Sequence, residues 1–196
     1  MPPLESPSLP SRGAPRAEIE PEYRALVDGR VRLIEHDPKW PYLFEREAGR
    51  VREALGDRVL LLEHVGSTSV PWLIAKPCVD MLLVVADPAD EAAYVPDLES
   101  AGYFLTLREP ERYELRVFKG TEVNLNLHVF GQGCKEVERM LRFRDHLRAD
   151  EHARERYATV KRDLAERTWK QIQDYSDAKS DIVEELLSEA EGRLTS

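Results

Sequence analysis

Long apolar runs are missing from this chain of 196 residues. No stretch approaches the ~20 apolar residues that a bilayer-spanning helix needs. No signal-like apolar segment opens the sequence, so the expected location is the cytoplasm, away from any membrane. Positive charge is also in short supply. The 28 Lys and Arg residues stand against 37 Asp and Glu, a net charge of −9. Duplex and single-strand binders lean on clustered Lys and Arg, so nucleic acid is not an expected partner. The negative excess is spread over predicted helices and reads as solubility. Cysteine is scarcer still. Cys78 and Cys134 lie far apart and fit no metal-ligand spacing. Cys78, in an apolar stretch, reads as an inert core thiol. No internal repeat is present.

Proline is unevenly placed. Five of the 13 fall within residues 1–18, beside Ser, Gly and Arg. That composition cannot bury a core, so residues 1–19 are expected to be a disordered tail and 20–196 one domain. A short helix is expected from Glu20 to Asp28 and a short strand from Val31 to Glu35. Leu43, Phe44, Ala48, Val51, Ala54 and Leu55 recur at helical spacing, which predicts a helix from Trp40 to Leu55 stopped by Gly56. Trp40, Tyr42 and Phe44 read as its packing face. Val59–Val65 and Val79–Ala86 read as strands, the second buried on both faces. A helix from Pro88 to Ser100 is followed by strands Tyr103–Leu107, Glu114–Lys119 and Glu122–Phe130. Lys119-Gly120-Thr121 has the length of a tight hairpin turn. From Glu136 onward the chain reads as charged helices broken near Asp150 and near Asp174–Ser176. These elements predict an α/β (α+β) domain with a mixed sheet flanked by helices and a helical C-terminal segment.

Two stretches carry candidate chemistry. Glu63-His64-Val65-Gly66-Ser67-Thr68-Ser69-Val70-Pro71 reads as a strand running into a small-residue turn. Gly66 lets a backbone approach a ligand closely, while Ser67, Thr68 and Ser69 add hydroxyls. Such turns at a sheet edge are where phosphate sites are built. Glu63 and His64 point to opposite faces of their strand. Ala75-Lys76-Pro77-Cys78-Val79-Asp80 follows, and a carboxylate placed among Val79, Met81 and Leu82 needs a specific partner. In the strand Glu122–Phe130, Val123, Leu125, Leu127 and Val129 share one face; Glu122, Asn124, Asn126 and His128 share the other. Two amides and an imidazole in line read as the wall of a site, with Arg116 reachable from the preceding strand. His128 could act as a base, a ligand or a phosphate partner. On the later helix, Arg144 offers a bidentate fork for phosphate or carboxylate.

The run from Glu63 to Pro71, with Ala75-Lys76-Pro77 and Asp80, resembles the hallmark of the GrpB family, also called UPF0157. His36-Asp37-Pro38-Lys39-Trp40-Pro41, Leu127-His128-Val129, Phe143-Arg144-Asp145-His146-Leu147-Arg148 and Lys179 are similar to its later motifs. The resemblance covers about residues 31–190. It implies a nucleotidyltransferase-like fold, related to a domain fused to some dephospho-CoA kinases. It further implies that Gly66, Ser67, Thr68 and Ser69 hold a triphosphate, helped by Lys76, Arg144, Lys161 and Lys179, to which the strand-face reading adds Arg116 and Asn126. Asp80, with Glu63 as second carboxylate, would hold Mg²⁺, and Asp80, His128 and Glu63 would be the catalytic set.

Three departures accompany the resemblance. Leu82 stands where the superfamily has a second carboxylate, Asn126 where the family has His, and Trp72 where it has Gly. Trp72 is expected to narrow the pocket, stack on a ligand or alter the loop. The leading functional expectation is an enzyme that binds ATP or another nucleoside triphosphate with Mg²⁺ and transfers a nucleotidyl group to a small or protein acceptor. The alternatives are a non-catalytic nucleotide- or CoA-type binding module serving a protein partner, and an ATP-dependent biosynthetic enzyme using the same pocket.

Overall fold

The computed structural model describes residues 26–194; the tail expected over 1–19 lies outside them. The described chain starts with a small hairpin, β1 (Leu26–Val27) against β2 (Arg30–Val31). Asp28 and Gly29 both have positive φ, 50° and 76°. An Asp-Gly pair in that conformation makes a tight hairpin, so the helix expected over Glu20–Asp28 does not extend over 26–28, and its residues 20–25 lie outside the described ones. The strand expected to run to Glu35 stops at Val31, and beyond it Ile34 makes a single bridge to Ala75.

Helix α1 (Lys39–Leu55) buries Trp40, Phe44, Ala48, Val51 and Leu55, as its periodicity predicts. Tyr42 is the exception and is 68% exposed. Glu47 is buried on the same helix, where Arg46, Arg50 and the Tyr103 hydroxyl satisfy its carboxylate. A single 3₁₀ turn, Gly56–Arg58, follows α1.

The main sheet contains β3 (Leu61–Val65), β4 (Val79–Val85), β5 (Tyr103–Glu109), β6 (Leu115–Gly120) and β7 (Leu125–Gly131). Its order is β3-β4-β7-β6-β5. The β4–β7 pair is parallel and the others are antiparallel, so the sheet is mixed. The helix expected from Pro88 shrinks to a 3₁₀ turn at Glu91–Ala93 and a short α2 (Val95–Ser100). Tyr94, with φ −145°, interrupts them.

One face of the sheet packs on α1 and α2 through Leu62, Met81, Leu83, Phe118, Leu125, Leu127 and Val129. The opposite face is split. Toward one end, Val65, Leu82, Val84 and Phe130 pack with Val137 of α3 (Lys135–Ala149). Toward the start of β4 and β7 the same face turns polar, with Asp80, Asn126 and His128. Burying aliphatic side chains at ~25 cal/mol per Å² fixes which face is which.

Helix α3 ends at Asp150, whose carboxylate accepts from the Ala153 amide and caps α4 (Glu151–Ala165). The break expected at Asp174–Ser176 is displaced. Gln171 and Asp174 form a capping box that starts α5 (Ile172–Asp177). The interruptions fall at 166–171 and 178–179, before α6 (Ser180–Leu194). A second core joins Val70, Leu73 and Ile74, just after the serine turn, to Tyr157 of α4 and Leu186 of α6. Among the described residues no helix is long and apolar enough to cross a membrane.

Candidate functional site

The turn after β3 is set by its backbone. Gly66 has φ 68°, and a Cβ there would lie 2.6 Å from Asp80 Oδ2. Glycine is therefore required twice, for the left-handed conformation and for the close approach. Ser67–Ser69 then forms one 3₁₀ turn. Two of its three hydroxyls are committed to holding it. Ser69 Oγ donates to the Gly66 carbonyl at 2.6 Å. Thr68 Oγ1 lies 3.0 Å from His64 Nε2, in a buried contact. Burial lowers the pKa of His64 to about 4, and its ring stacks on Phe44 at 4.9 Å. The expected ligand contacts from the Thr68 and Ser69 hydroxyls are thus corrected: those groups are part of the scaffold. Ser67 differs. Its Oγ accepts from Lys161 Nζ at 2.8 Å and hydrogen-bonds Tyr157.

Asp80 sits at the start of β4, one residue in, opposite Asn126 of the parallel neighbour. Asn126 Nδ2 donates to Asp80 Oδ1 at 2.7 Å, and His128 Nε2 lies 3.2 Å from the same oxygen. Strand alternation thus places Asn126 and His128 on one face, where both meet Asp80, while Asn124 Nδ2 donates to the Pro77 carbonyl at 2.6 Å instead. Burial alone would raise the Asp80 pKa. The hydrogen bonds from His128 and Asn126, with the charges of His128 and Lys76, outweigh it and hold the carboxyl at about 2.

Arg116 is not part of this wall. The connection Thr121–Asn124 pairs Lys119 with Asn126 and Val117 with His128. Odd-numbered residues of β6 then share a face with even-numbered residues of β7. Arg116 falls on the opposite face, buried, with its Nε 2.7 Å from Glu91 Oε1. Lys119 takes the position expected of Arg116 and donates to Asn126 Oδ1.

Glu63 and Arg144 also find each other rather than a ligand. Arg144 Nη1 lies 2.7 Å from Glu63 Oε2 and donates to the His64 carbonyl at 3.0 Å. Its Nε pairs with Asp145 at 2.7 Å. The guanidinium, 9% exposed, ties α3 to the end of β3. Arg148 does similar work, donating to the Ser69 carbonyl at 3.0 Å. The roles expected of Glu63 as a metal ligand and Arg144 as a nucleotide contact give way to this structural pair.

The lysines converge. Lys161, 2% exposed, reaches the Ser67 hydroxyl and the Ile74 carbonyl. Its pKa is lowered well below the usual lysine value, first by burial, then by the charges of Lys179 and Lys76. Lys179 is lowered to about 8 by burial and by Lys76, with Asp80 and Asp177 acting the other way. Lys179 Nζ lies 4.5 Å and Lys76 Nζ 5.8 Å from the centre of the Tyr175 ring. Lys161 stands 5.3 Å from the Tyr157 ring. The Tyr175 hydroxyl is buried and has no hydrogen-bond partner among the described residues. Two Tyr-x-x-x-Lys pairs thus frame the site, Tyr157/Lys161 within α4 and Tyr175/Lys179 running from α5 into the turn after it. Residues four apart share a helix face, a signal the sequence carried and the expectations missed.

Cys78 lies beside Lys76 and Asp80, and burial pushes its thiol up to about 12. A thiol at that value is protonated at neutral pH and inert. Trp72 neither narrows the site nor lies within it. It is 77% exposed, with Arg154 5.7 Å from its ring centre. Its φ of 62° explains why glycine suits this position.

The donor set can be weighed against Mg²⁺. Among the described residues no group of three or more His, Cys, Asp or Glu is arranged to hold a metal. Asp80 is one carboxylate, already engaged by Asn126 and His128, and three lysines act electrostatically on it or are acted on by it. Without a ligand these residues form no Mg²⁺ site of their own, since Mg²⁺ is held by one or two carboxylates together with substrate phosphates and Asp80 is a single carboxylate.

The sequence model of the GrpB protein family matches residues 30–189. The chain belongs to the GrpB family. A UPF0157 protein of Halalkalibacterium halodurans is 52% identical over 195 residues, covering 97% of this chain and 98% of that protein. The crystal structure of the conserved protein GrpB from Enterococcus faecalis superposes with TM-score 0.74 at 29% identity, covering 84% of this chain and 100% of that one. A dephospho-CoA kinase of Mycolicibacterium paratuberculosis is 28% identical over 182 residues, 80% of this chain but 45% of that protein. The GrpB region therefore occurs both as most of a chain and as part of a longer one.

Proposed function

We propose that this GrpB-family chain binds the phosphate groups of a nucleotide-type ligand, a nucleoside triphosphate or a CoA-like molecule, at the Gly66–Ser67 turn. The observation that carries the reading is the hydrogen bond from Lys161 to Ser67, with Lys179 and Lys76 close enough for their charges to act on Lys161. A hydroxyl, a tight glycine turn and several ammonium groups match phosphate oxygens in both charge and hydrogen bonding. Buried lysines without such a task would cost stability, because burial disfavours their charged form. His128, Asn126 and Lys76 hold Asp80 ionised beside this anion site, where it can orient a ligand hydroxyl or amine. The work of the protein here is binding and orientation.

A thermal-shift series with ATP, the other nucleoside triphosphates and CoA, each with and without Mg²⁺, tests the reading. A ligand at 100 times its Kd stabilises the folded state by about 2.7 kcal/mol. The expected result is a shift for at least one of these ligands that Ser67→Ala and Lys179→Met both reduce. No shift with any of them, at millimolar concentration, contradicts it.

The ionised Asp80 favours a second reading, in which the bound nucleotide is transferred to a small or protein acceptor. Release of pyrophosphate from ATP, lost in Asp80→Asn, would support transfer over binding alone. Intact ATP after long incubation with cell extract would remove it.

A further inference from the structure

We propose that the anionic ligand of this site is a di- or triphosphate group whose charge is met by four lysines, Lys76, Lys119, Lys161 and Lys179, with no divalent cation required. The inference rests on the phosphate-binding reading above and deepens it by naming what neutralises the ligand.

The lysines come from four separate places in the chain. Lys76 precedes β4, Lys119 ends β6, Lys161 lies in α4 and Lys179 stands between α5 and α6. Their common neighbour is Asp80. Lys119 reaches it through Asn126, which accepts from Lys119 and donates to Asp80 Oδ1. Lys76 lowers its pKa, and Asp80 in turn favours the charged forms of Lys161 and Lys179. Two carboxylates, Asp80 and the Asp177 beside Lys179, among four lysines leave an excess of two positive charges when all are protonated. That excess suits a pyrophosphate or triphosphate group and repels a metal cation.

The site also couples binding to protons. Lys161 faces Ser67 of the turn, Tyr157 and Arg162 of α4, Lys76 and Asp80 beside and on β4, and Lys179. Lys179 faces Tyr175 and Asp177 of α5, with Lys76 and Asp80. Burial and mutual repulsion favour proton loss from both lysines in the free protein. An anion within ~4–6 Å reverses the repulsive part and favours the ammonium form. Above the Lys179 value of about 8, ligand entry therefore brings net proton uptake.

The test is isothermal titration of the full chain with inorganic pyrophosphate in EDTA, at about pH 8.5, in buffers of differing ionisation enthalpy. The expected result is binding that persists in EDTA, with proton uptake read from the slope of heat against buffer enthalpy. Lys119→Met should weaken binding by roughly tenfold. Lys179→Arg keeps the charge but stays protonated, so it should retain binding and lose part of the uptake. Circular dichroism confirms that each variant is folded. Binding of nucleotide only with Mg²⁺, and of pyrophosphate not at all, overturns the inference while leaving the phosphate-site reading intact. Failure of both ligands under all conditions overturns both. Binding in EDTA without proton uptake overturns the coupling.

Discussion

Replacing Asp80 with Asn keeps the side-chain shape and removes the charge around which the polar strand face is arranged. In the native protein the Asp80 carboxyl falls from its ordinary 3.8 to about 2. At 1.36 kcal/mol per pKa unit that drop corresponds to roughly 2 kcal/mol of preference for the ionised form. The side chain is 28% exposed, so little of this is lost to solvent screening. A depressed carboxyl contributes its stability above the unfolded-state value and loses it as pH falls through the folded-state value. The contribution is therefore complete above about pH 5, shrinks below about pH 4 and is gone under about pH 2. Asp80→Asn should lower the free energy of unfolding at pH 7 by about 2 kcal/mol. With a urea slope of ~1–3 kcal/mol per molar, the midpoint should move by roughly 1 M. The assay is urea denaturation of both proteins at pH 7, 5 and 3, followed by circular dichroism. The two curves should converge as the pH falls. An Asp80→Asn protein as stable as the native one at pH 7, or a difference that does not shrink at pH 3, would refute the claim that this carboxylate is held ionised by Asn126, His128 and the lysines.

Leu127→Ala should cost ~2–5 kcal/mol in chemical denaturation, because Leu127 is 0% exposed between the sheet and α1, and its removal leaves a cavity. Gly66→Ala should both destabilise the fold and abolish ligand-induced thermal shifts, since the new Cβ would lie 2.6 Å from Asp80 Oδ2 at φ 68°. At position 72, Trp72→Gly should be more stable than Trp72→Ala by about 1 kcal/mol, since both lose the ring and only glycine is free of strain at φ 62°; equal melting temperatures for the pair would contradict this.

Strand β7 was legible because its pattern is extreme. Four aliphatic residues on one face and amides with a histidine on the other leave one burial choice, and the observed pairing of Asp80 with Asn126 follows from it. Its partner's register was not legible, because the expected three-residue turn at 119–121 and the observed four-residue connection at 121–124 give β6 opposite faces. That inversion exchanged Arg116 for Lys119. The serine turn was visible as a turn, yet which hydroxyl stays available depends on distant atoms. Thr68 is committed by His64, and only the placement of α4 brings Lys161 to Ser67. Glu63 and Arg144 lie 81 positions apart, and local pattern cannot say whether such residues meet each other or a ligand. The Tyr157/Lys161 pair needed only the helix period to be noticed, whereas Tyr175 and Lys179 meet across the end of α5.

A crystal structure of the chain grown with a nucleoside triphosphate or CoA that raises its melting temperature is the most direct test of the central claim. Phosphate density should lie within hydrogen-bond reach, ~2.7–3.2 Å, of Ser67 Oγ and the lysine ammonium groups, with Asp80 still bonded to Asn126. Phosphate density on another face of the sheet, or a nucleotide whose phosphates point away from Ser67 and Lys179 into solvent, would contradict it.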